Sequence, residues 1–106
     1  MLVVTTDGIA GRDIAEALGV VRGSTVRAKH IGSDIVAALR NLVGGEVREY
    51  SQLLAGAREQ AFDRMLDEAA RLGADAVVAM RMETSTIQQA ASEVVFYGTA
   101  VRLAPR

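Results

Sequence analysis

The sequence predicts an α+β fold, and two features of its second half carry that prediction. Residues 51–72 repeat apolar side chains at helical spacing, whereas residues 75–87 and 93–103 have the alternating pattern of strands. Only residues 88–92 separate the two strands, and so short a connection favours an antiparallel hairpin. We therefore expect one long helix packed against an antiparallel sheet.

Composition excludes several classes of function. The chain has 106 residues, which is the usual size of one domain. Its formal net charge is -1, so it does not generate the positive electrostatic field that attracts nucleic acid or an anionic membrane. It has no cysteine, which removes disulfides and thiolate chemistry and fits a cytoplasmic protein. We find no signal-peptide pattern and no apolar run of membrane-spanning length. We expect one cytoplasmic domain over residues 1–106, with neither nucleic acid nor membrane as a partner.

The first quarter of the chain predicts short elements. Residues 2–6 are apolar and β-branched, so they predict a strand. Residues 12–27 are ambiguous, because 13–18 resemble a short helix stopped by a glycine while 19–26 resemble a strand. Local propensity leaves both alternatives open.

Two helices are predicted in the middle of the chain. Ser33 can cap a short helix over residues 34–43. Ser51 can begin the long helix, which runs to residue 72 with Gly73 as its stop. Arg58 lies inside the apolar arc of the long helix, where a charged side chain is unexpected.

The two strands of the hairpin carry further expectations. Residues 75–87 alternate, so one face of that strand carries Ala76, Val78, Met80 and Met82. In the last strand Gly98 lies on the apolar face, so we expect a helix or a neighbouring subunit to pack closely against its backbone.

Catalytic motifs are absent from the sequence. Gly44-Gly45 lacks the lysine and the serine or threonine that a phosphate-binding loop needs. The serines lack the G-x-S-x-G setting of a catalytic nucleophile. We therefore do not expect an enzyme.

Six motifs follow one another along nearly the whole chain: LGVVRG at 18–23, IGSDIVAALRNLVGG at 31–45, Tyr50, AREQA at 57–61, LGADAVV at 72–78 and YGTAV at 97–101. Together they resemble the YbjQ family, the uncharacterised group UPF0145. The resemblance implies a dodecin-like subunit with a β-α-β-β core, in which a curved antiparallel sheet packs on one long helix, plus an extra N-terminal strand and a short helix. It also implies strand within residues 12–27 and assembly as a ring-shaped homopentamer.

Four polar residues that fall within the family-like region are candidates for ligand binding or subunit contact: Glu16, Tyr50, Arg58 and Glu59. A guanidinium buried at position 58 needs a carboxylate or several carbonyl groups, and Glu16 and Glu59 are the carboxylates that we nominate. A structural ion pair at the helix–sheet or subunit contact is the simpler interpretation of Arg58.

The family also carries a heavy-metal-binding label, which can be tested chemically. Soft metals prefer thiolate, thioether or imidazole ligands, and this chain offers His30 alone, with Leu18 where some family members have cysteine. A pentamer could bring five copies of His30 into a ring, although an exposed histidine without function is the simpler interpretation. We therefore expect a homo-oligomeric scaffold for an unknown small ligand or ion. The alternative is a heavy-metal-binding protein that uses carboxylates and a His30 ring around a divalent metal.

Overall fold

The computed structural model describes residues 1–28, 46–88 and 91–106. The predicted helix over 34–43, its Ser33 cap and His30 therefore lie outside the described residues. In chain order, the described elements are β1 (Leu2–Val3), β2 (Ile14–Ala28), α1 (Glu46–Arg71), β3 (Ala76–Gln88) and β4 (Ala91–Leu103). The predicted long helix and hairpin strands are confirmed, and β2-α1-β3-β4 follows the expected β-α-β-β order.

The sheet has the strand order β1-β3-β4-β2. β4 pairs antiparallel with both β3 and β2, whereas β1 pairs parallel with β3 through Leu2 and Val3. The three long strands thus form the expected antiparallel sheet. The sheet as a whole is mixed, because the N-terminal strand joins it in the parallel direction.

α1 packs on the face formed by β2 and β4, and we call this the helix side of the sheet. Its buried side chains are small or flexible, namely Ala57, Ala61, Met65 and Ala69. Alanine at these positions lets the helix backbone approach the sheet closely. The approach is closest at Gly23 of β2, where a Cβ atom would meet the Ala61 carbonyl oxygen and the Met65 backbone nitrogen.

The bounds of α1 differ from the prediction by five residues at its start and by one residue at its end. The helix begins at Glu46, so the prediction that Ser51 starts it is wrong; Glu46, Arg48 and Glu49 are good helix formers and extend it. It ends at Arg71, and Gly73 follows with a φ of 76° and donates its backbone N–H to the Ala70 carbonyl. Gly73 therefore stops the helix as predicted, because glycine adopts this left-handed conformation without strain.

β2 resolves the ambiguity of residues 12–27. It is a strand from Ile14 onward, so the helical alternative for 13–18 is wrong and the implication of the family resemblance is confirmed. The pairing register of β2 with β4 shifts between Ala17 and Gly19, and Gly19 has a φ of 120°. This bulge brings both Leu18 and Val21 to the core under α1.

A second bulge interrupts β3. Its register with β4 shifts between Val78 and Arg81, and Ala79 has a φ of 54°. Val77 and Met80 therefore contact the core under α1, while Val78 contacts a separate cluster on the other face. The prediction that Val78 and Met80 share a face is wrong, because the bulge adds a residue between them.

Gly98 lies against this bulge. A Cβ atom at Gly98 would stand 2.7 Å from Val77 Cγ1 and 3.0 Å from the Val78 carbonyl oxygen. Close packing at Gly98 is thus confirmed, but the neighbour is β3 of the same sheet. The prediction of a helix or another subunit at this position is wrong.

Candidate functional site

The helix side of β3 is left open beyond the bulge. α1 lies over β2 and β4, and the described residues 81–86 of β3 are all exposed. Met82 pairs with Phe96 of β4, so it points to the helix side, and it is 44% exposed. Within the described part of the chain, no element covers Met82 beside the helix.

A groove of about 400 Å³ lies between α1 and β4, lined by Arg58, Glu59, Phe62, Asp63 and Phe96. The two phenylalanine rings meet edge to face, with centroids 5.4 Å apart and planes at 80°. This arrangement is the favoured one for aromatic pairs. The groove has an aromatic floor and a charged rim.

A second groove of about 590 Å³ shares Phe96 with the first and is lined further by Thr5, Met80, Arg81 and Met82. Arg81 donates from Nη1 to the carbonyl oxygens of Thr5 (2.8 Å) and Met80 (2.9 Å), which ties the N-terminal segment to the bulge. The two grooves join into one surface, which we call the open face: Phe62, Met80, Met82 and Phe96.

Arg58 lies at the rim of the first groove, and its side chain is exposed. The prediction that it is buried is wrong within the subunit. The buried stripe of α1 is narrower than the apolar arc and passes through Ala57 and Ala61, one position away from Arg58. Because Arg58 is exposed in a single chain, it needs no carboxylate partner there.

The rim carries more negative than positive charge. Glu59 and Asp63 are one helical turn apart on α1, both exposed, and both line the groove beside Arg58. Two carboxylates at this spacing repel each other. The rim therefore favours a cationic group from a ligand or from another chain.

The other predicted residues lie elsewhere. Glu16 is exposed on β2, nine positions before Thr25, or roughly 30 Å along the strand. Thr25 pairs with Val94, and Val94 contacts Ala57, the residue before Arg58. Thr25 is therefore the part of β2 that lies level with the helix turn of Arg58. Glu16 and Arg58 are thus not brought together within one subunit. Tyr50 belongs to α1, but its side chain lies outside what the structure describes.

The sequence analysis missed the aromatic floor, because Phe62 falls on the apolar arc of the long helix and Phe96 on the apolar face of the last strand, where neither is distinguished from a core residue. The available signal was scarcity, since the chain has two Phe and two Tyr as its only aromatic residues. It also missed Thr25, which is 4% exposed and whose Oγ1 has no hydrogen-bond partner among the described residues. Thr25 lies on the helix side of β2 and does not line either groove.

The described residues do not by themselves fit a heavy metal. In residues 1–28, 46–88 and 91–106, no group of three or more His, Asp or Glu side chains is close enough to hold an ion, and the sequence has no cysteine. Glu59 and Asp63 offer only oxygen donors, which suit hard cations better than soft ones. No helix in the same part of the chain combines the length and apolarity that a membrane crossing requires.

Fold and site together define a small α+β protein in which one long helix covers half of a four-stranded sheet and leaves an amphipathic groove beside it. The chain belongs to the YbjQ family, whose model matches residues 1–104 and is described as "Putative heavy-metal-binding". The family inferred from the six motifs is thereby confirmed.

Similar proteins occur in archaea and bacteria. A UPF0145 protein of Methanosarcina acetivorans is 51% identical over 106 residues and is covered in full, as is this chain. A UPF0145 protein of Thermus thermophilus is 54% identical over 105 residues, which cover 99% of this chain and 92% of the relative. Neither name states an enzymatic activity.

A solved structure supports the fold. It is a protein of unknown function from the DUF74 family of Pediococcus pentosaceus, with a TM-score of 0.66 and 17% sequence identity over 98% of each chain. At this identity the likeness concerns the fold alone.

Proposed function

We propose that this protein is the subunit of a cytoplasmic homo-oligomer, a ring of five copies, that binds a small ligand or an ion in a groove at the contact between copies. The observation that carries the proposal is the open face. Its phenylalanines and methionines form a continuous apolar surface beside a charged rim. Contiguous apolar patches with polar rims mark interaction sites in soluble proteins.

The dimensions of the subunit support assembly. The chain measures 57 × 23 × 18 Å with a radius of gyration of 17.6 Å. A compact domain of this length has a radius of gyration of about 13 Å. An elongated subunit buries less of its own surface, so neighbouring copies supply the remaining cover. The number of five copies rests on the family resemblance.

The groove supports the ligand-binding part of the proposal. Its volume of about 400 Å³ lies within the range of small-molecule sites. A ligand with an apolar portion would lie on Phe62 and Phe96, and a cationic group on it would face Glu59 and Asp63. Arg58 at the same rim would contact an anionic group of the ligand or of a neighbouring copy.

The metal-binding alternative is favoured by the family description and by the pair Glu59 and Asp63. One subunit supplies too few donors there, so the remaining ligands would come from a second copy or from His30. Such a site would hold a divalent cation in the assembled protein, and the monomer would bind it weakly.

Native mass spectrometry of untagged protein tests the proposal. We expect a species of about 56 kDa, five times the 11.2 kDa chain, with extra mass for a ligand that copurifies. A monomer at every micromolar concentration would contradict the assembly. If protein dialysed against micromolar zinc, copper or nickel gains no metal mass, the metal-binding alternative is wrong.

A further inference from the structure

We propose that neighbouring copies join through a parallel strand pair, in which β2 of one copy extends the sheet at the free edge of β3 of the next. This inference rests on the proposed homo-oligomer and names the surfaces that hold it together. In this arrangement, residues from two neighbouring copies line each binding groove. The observations that carry it are two free strand edges on opposite sides of one sheet.

β2 supplies the first edge. It is the terminal strand of the sheet, and along its 15 residues the described chain pairs it only with β4. Its other edge presents a row of backbone N–H and C=O groups. Its exposed apolar side chains include Val20 (64% exposed) and Val26 (55% exposed). Long exposed edges of this kind are templates for pairing with another chain.

β3 supplies the second edge. β1 pairs only with Ala76 and Val77, and the backbone hydrogen bonds of the following N-terminal residues reach no further than Met80. From Met82 to Gln88, the edge of β3 that faces away from β4 has no partner within the described ranges. Within residues 1–28, 46–88 and 91–106, one copy thus carries two unpaired edges, which lie on opposite sides of the sheet and cannot meet each other.

A head-to-tail contact uses both edges at every junction. A two-fold contact between two β2 strands would satisfy one edge and leave β3 free in both copies. β2 and β3 each run antiparallel to β4, so they run parallel to each other. Successive copies in a ring of five are related by a rotation of about 72°, which cannot reverse a strand, so the junction pair is parallel.

Charge favours one register. Arg22 and Ser24 of β2 lie on the face opposite α1, and so do Glu83 and Ser85 of β3. If Arg22 of one copy lies beside Glu83 of the next, opposite charges meet, whereas a shift by two residues can place Arg22 beside Arg81. A shift by one residue would exchange the two faces of the joining strand. The favoured register aligns residues 21–27 with residues 82–88, and the junction ends there because β1 and the residues after it hold the edge of β3 up to Met80.

This junction also completes the groove. The joining copy brings its own α1 on the same side of the extended sheet. Because α1 lies over β2 and β4, successive helices are three strand spacings apart, or about 14 Å. Helices in direct contact are about 8–10 Å apart. A slot therefore remains between the two helices, floored by Met82 and Phe96, and this slot is where the ligand binds.

Engineered disulfides test the junction, because the natural chain contains no cysteine. We expect the double variant Ser24→Cys/Ser85→Cys to form a ladder of covalent oligomers up to five chains on mild oxidation with diamide, seen on a non-reducing gel. The matched control Ser24→Cys/Thr84→Cys places the second thiol on the opposite face of β3 and should give no ladder. Each single variant should remain uncrosslinked.

The outcomes separate this inference from the proposed function. A covalent dimer from Ser24→Cys alone would reveal a two-fold β2 contact and overturn the junction. If the double variant forms native pentamers that do not crosslink, the proposed junction is wrong but the homo-oligomer is retained. If the natural chain is a monomer, both the junction and the homo-oligomer are wrong. As a second measurement, Arg22→Glu and Glu83→Arg should each weaken assembly about five- to tenfold, and the double reversal should restore it. Absence of that rescue would contradict the favoured register.

Discussion

Replacing Gly23 with alanine tests the packing of α1 on the sheet, because the new Cβ has no space. It would meet three backbone atoms of the helix: the Ala61 oxygen, the Met65 nitrogen and, at 2.8 Å, the Arg64 carbonyl carbon. Backbone atoms cannot rotate away as a side chain can, so the helix must move outward by roughly 1 Å to restore van der Waals distances. That movement loosens the contacts of Ala61 and Met65 with the sheet.

We expect Gly23→Ala to lower the free energy of unfolding by about 3 kcal/mol, the upper end of the usual cost of overpacking. For a chain of this size, the melting temperature should fall by roughly 15 °C. Urea denaturation followed by circular dichroism measures the effect. The matched control is Gly56→Ala on the exposed side of α1, where nothing lies within 4 Å of the new Cβ. It should stabilise the protein by about 1 kcal/mol, since alanine favours helix. Equal stability of the two variants would refute the placement of the helix on Gly23.

Three further variants address the bulge, the rim and the open face. Gly98→Ala should cost about 1–2 kcal/mol, less than Gly23→Ala, because its nearest obstacle is a single methyl group, Val77 Cγ1, and the nearest backbone atom, the Val78 oxygen, is 3.0 Å away. A neutral result in urea denaturation would contradict the bulge geometry. Arg58→Met should change the free energy of unfolding by less than about 0.5 kcal/mol, because Arg58 is exposed; a loss above about 2 kcal/mol would indicate a buried ion pair instead. Met82→Glu should raise the subunit dissociation constant, measured by analytical ultracentrifugation, at least about tenfold. The far-ultraviolet circular dichroism spectrum should stay unchanged, and undiminished assembly would contradict a role for the open face.

The elements with strong local periodicity were predictable from the sequence. The buried positions of α1 follow the predicted arc, because side chains four residues apart lie on one side of a helix. The hairpin of β3 and β4 follows from two alternating segments and the short connection between them. In these elements local propensity and long-range packing favour the same structure.

The bulges explain where local reasoning fails. In β2 the bulge at Gly19 brings Leu18 and Val21 to the same side of the sheet, a three-residue spacing that is typical of a helix. In β3 the bulge places Ala79 in a left-handed conformation, and an alanine in the sequence does not indicate that conformation. Hydrogen bonds from Ala79 N–H to the Thr6 carbonyl and from Met80 N–H to the Val4 carbonyl stabilise it. These partners lie more than 70 positions away in the sequence, so no local pattern contains them.

The candidate site was predictable only in part. Arg58 and Glu59 were nominated from the sequence, and the structure brings them to the same groove. The floor of the groove depends on Phe62 and Phe96, which meet only because β4 lies under α1. The exposure of Arg58 could not be predicted, because the width of the buried stripe depends on how many strands the helix covers.

We expect further copies of the chain to cover the open face and the strand edges that have no partner within the described residues. Light scattering coupled to size-exclusion chromatography, on untagged protein at micromolar concentration, tests it most directly. We expect one peak of about 56 kDa, five times the chain mass of 11.2 kDa. A single peak at the mass of one chain, unchanged as the protein concentration rises, would contradict it.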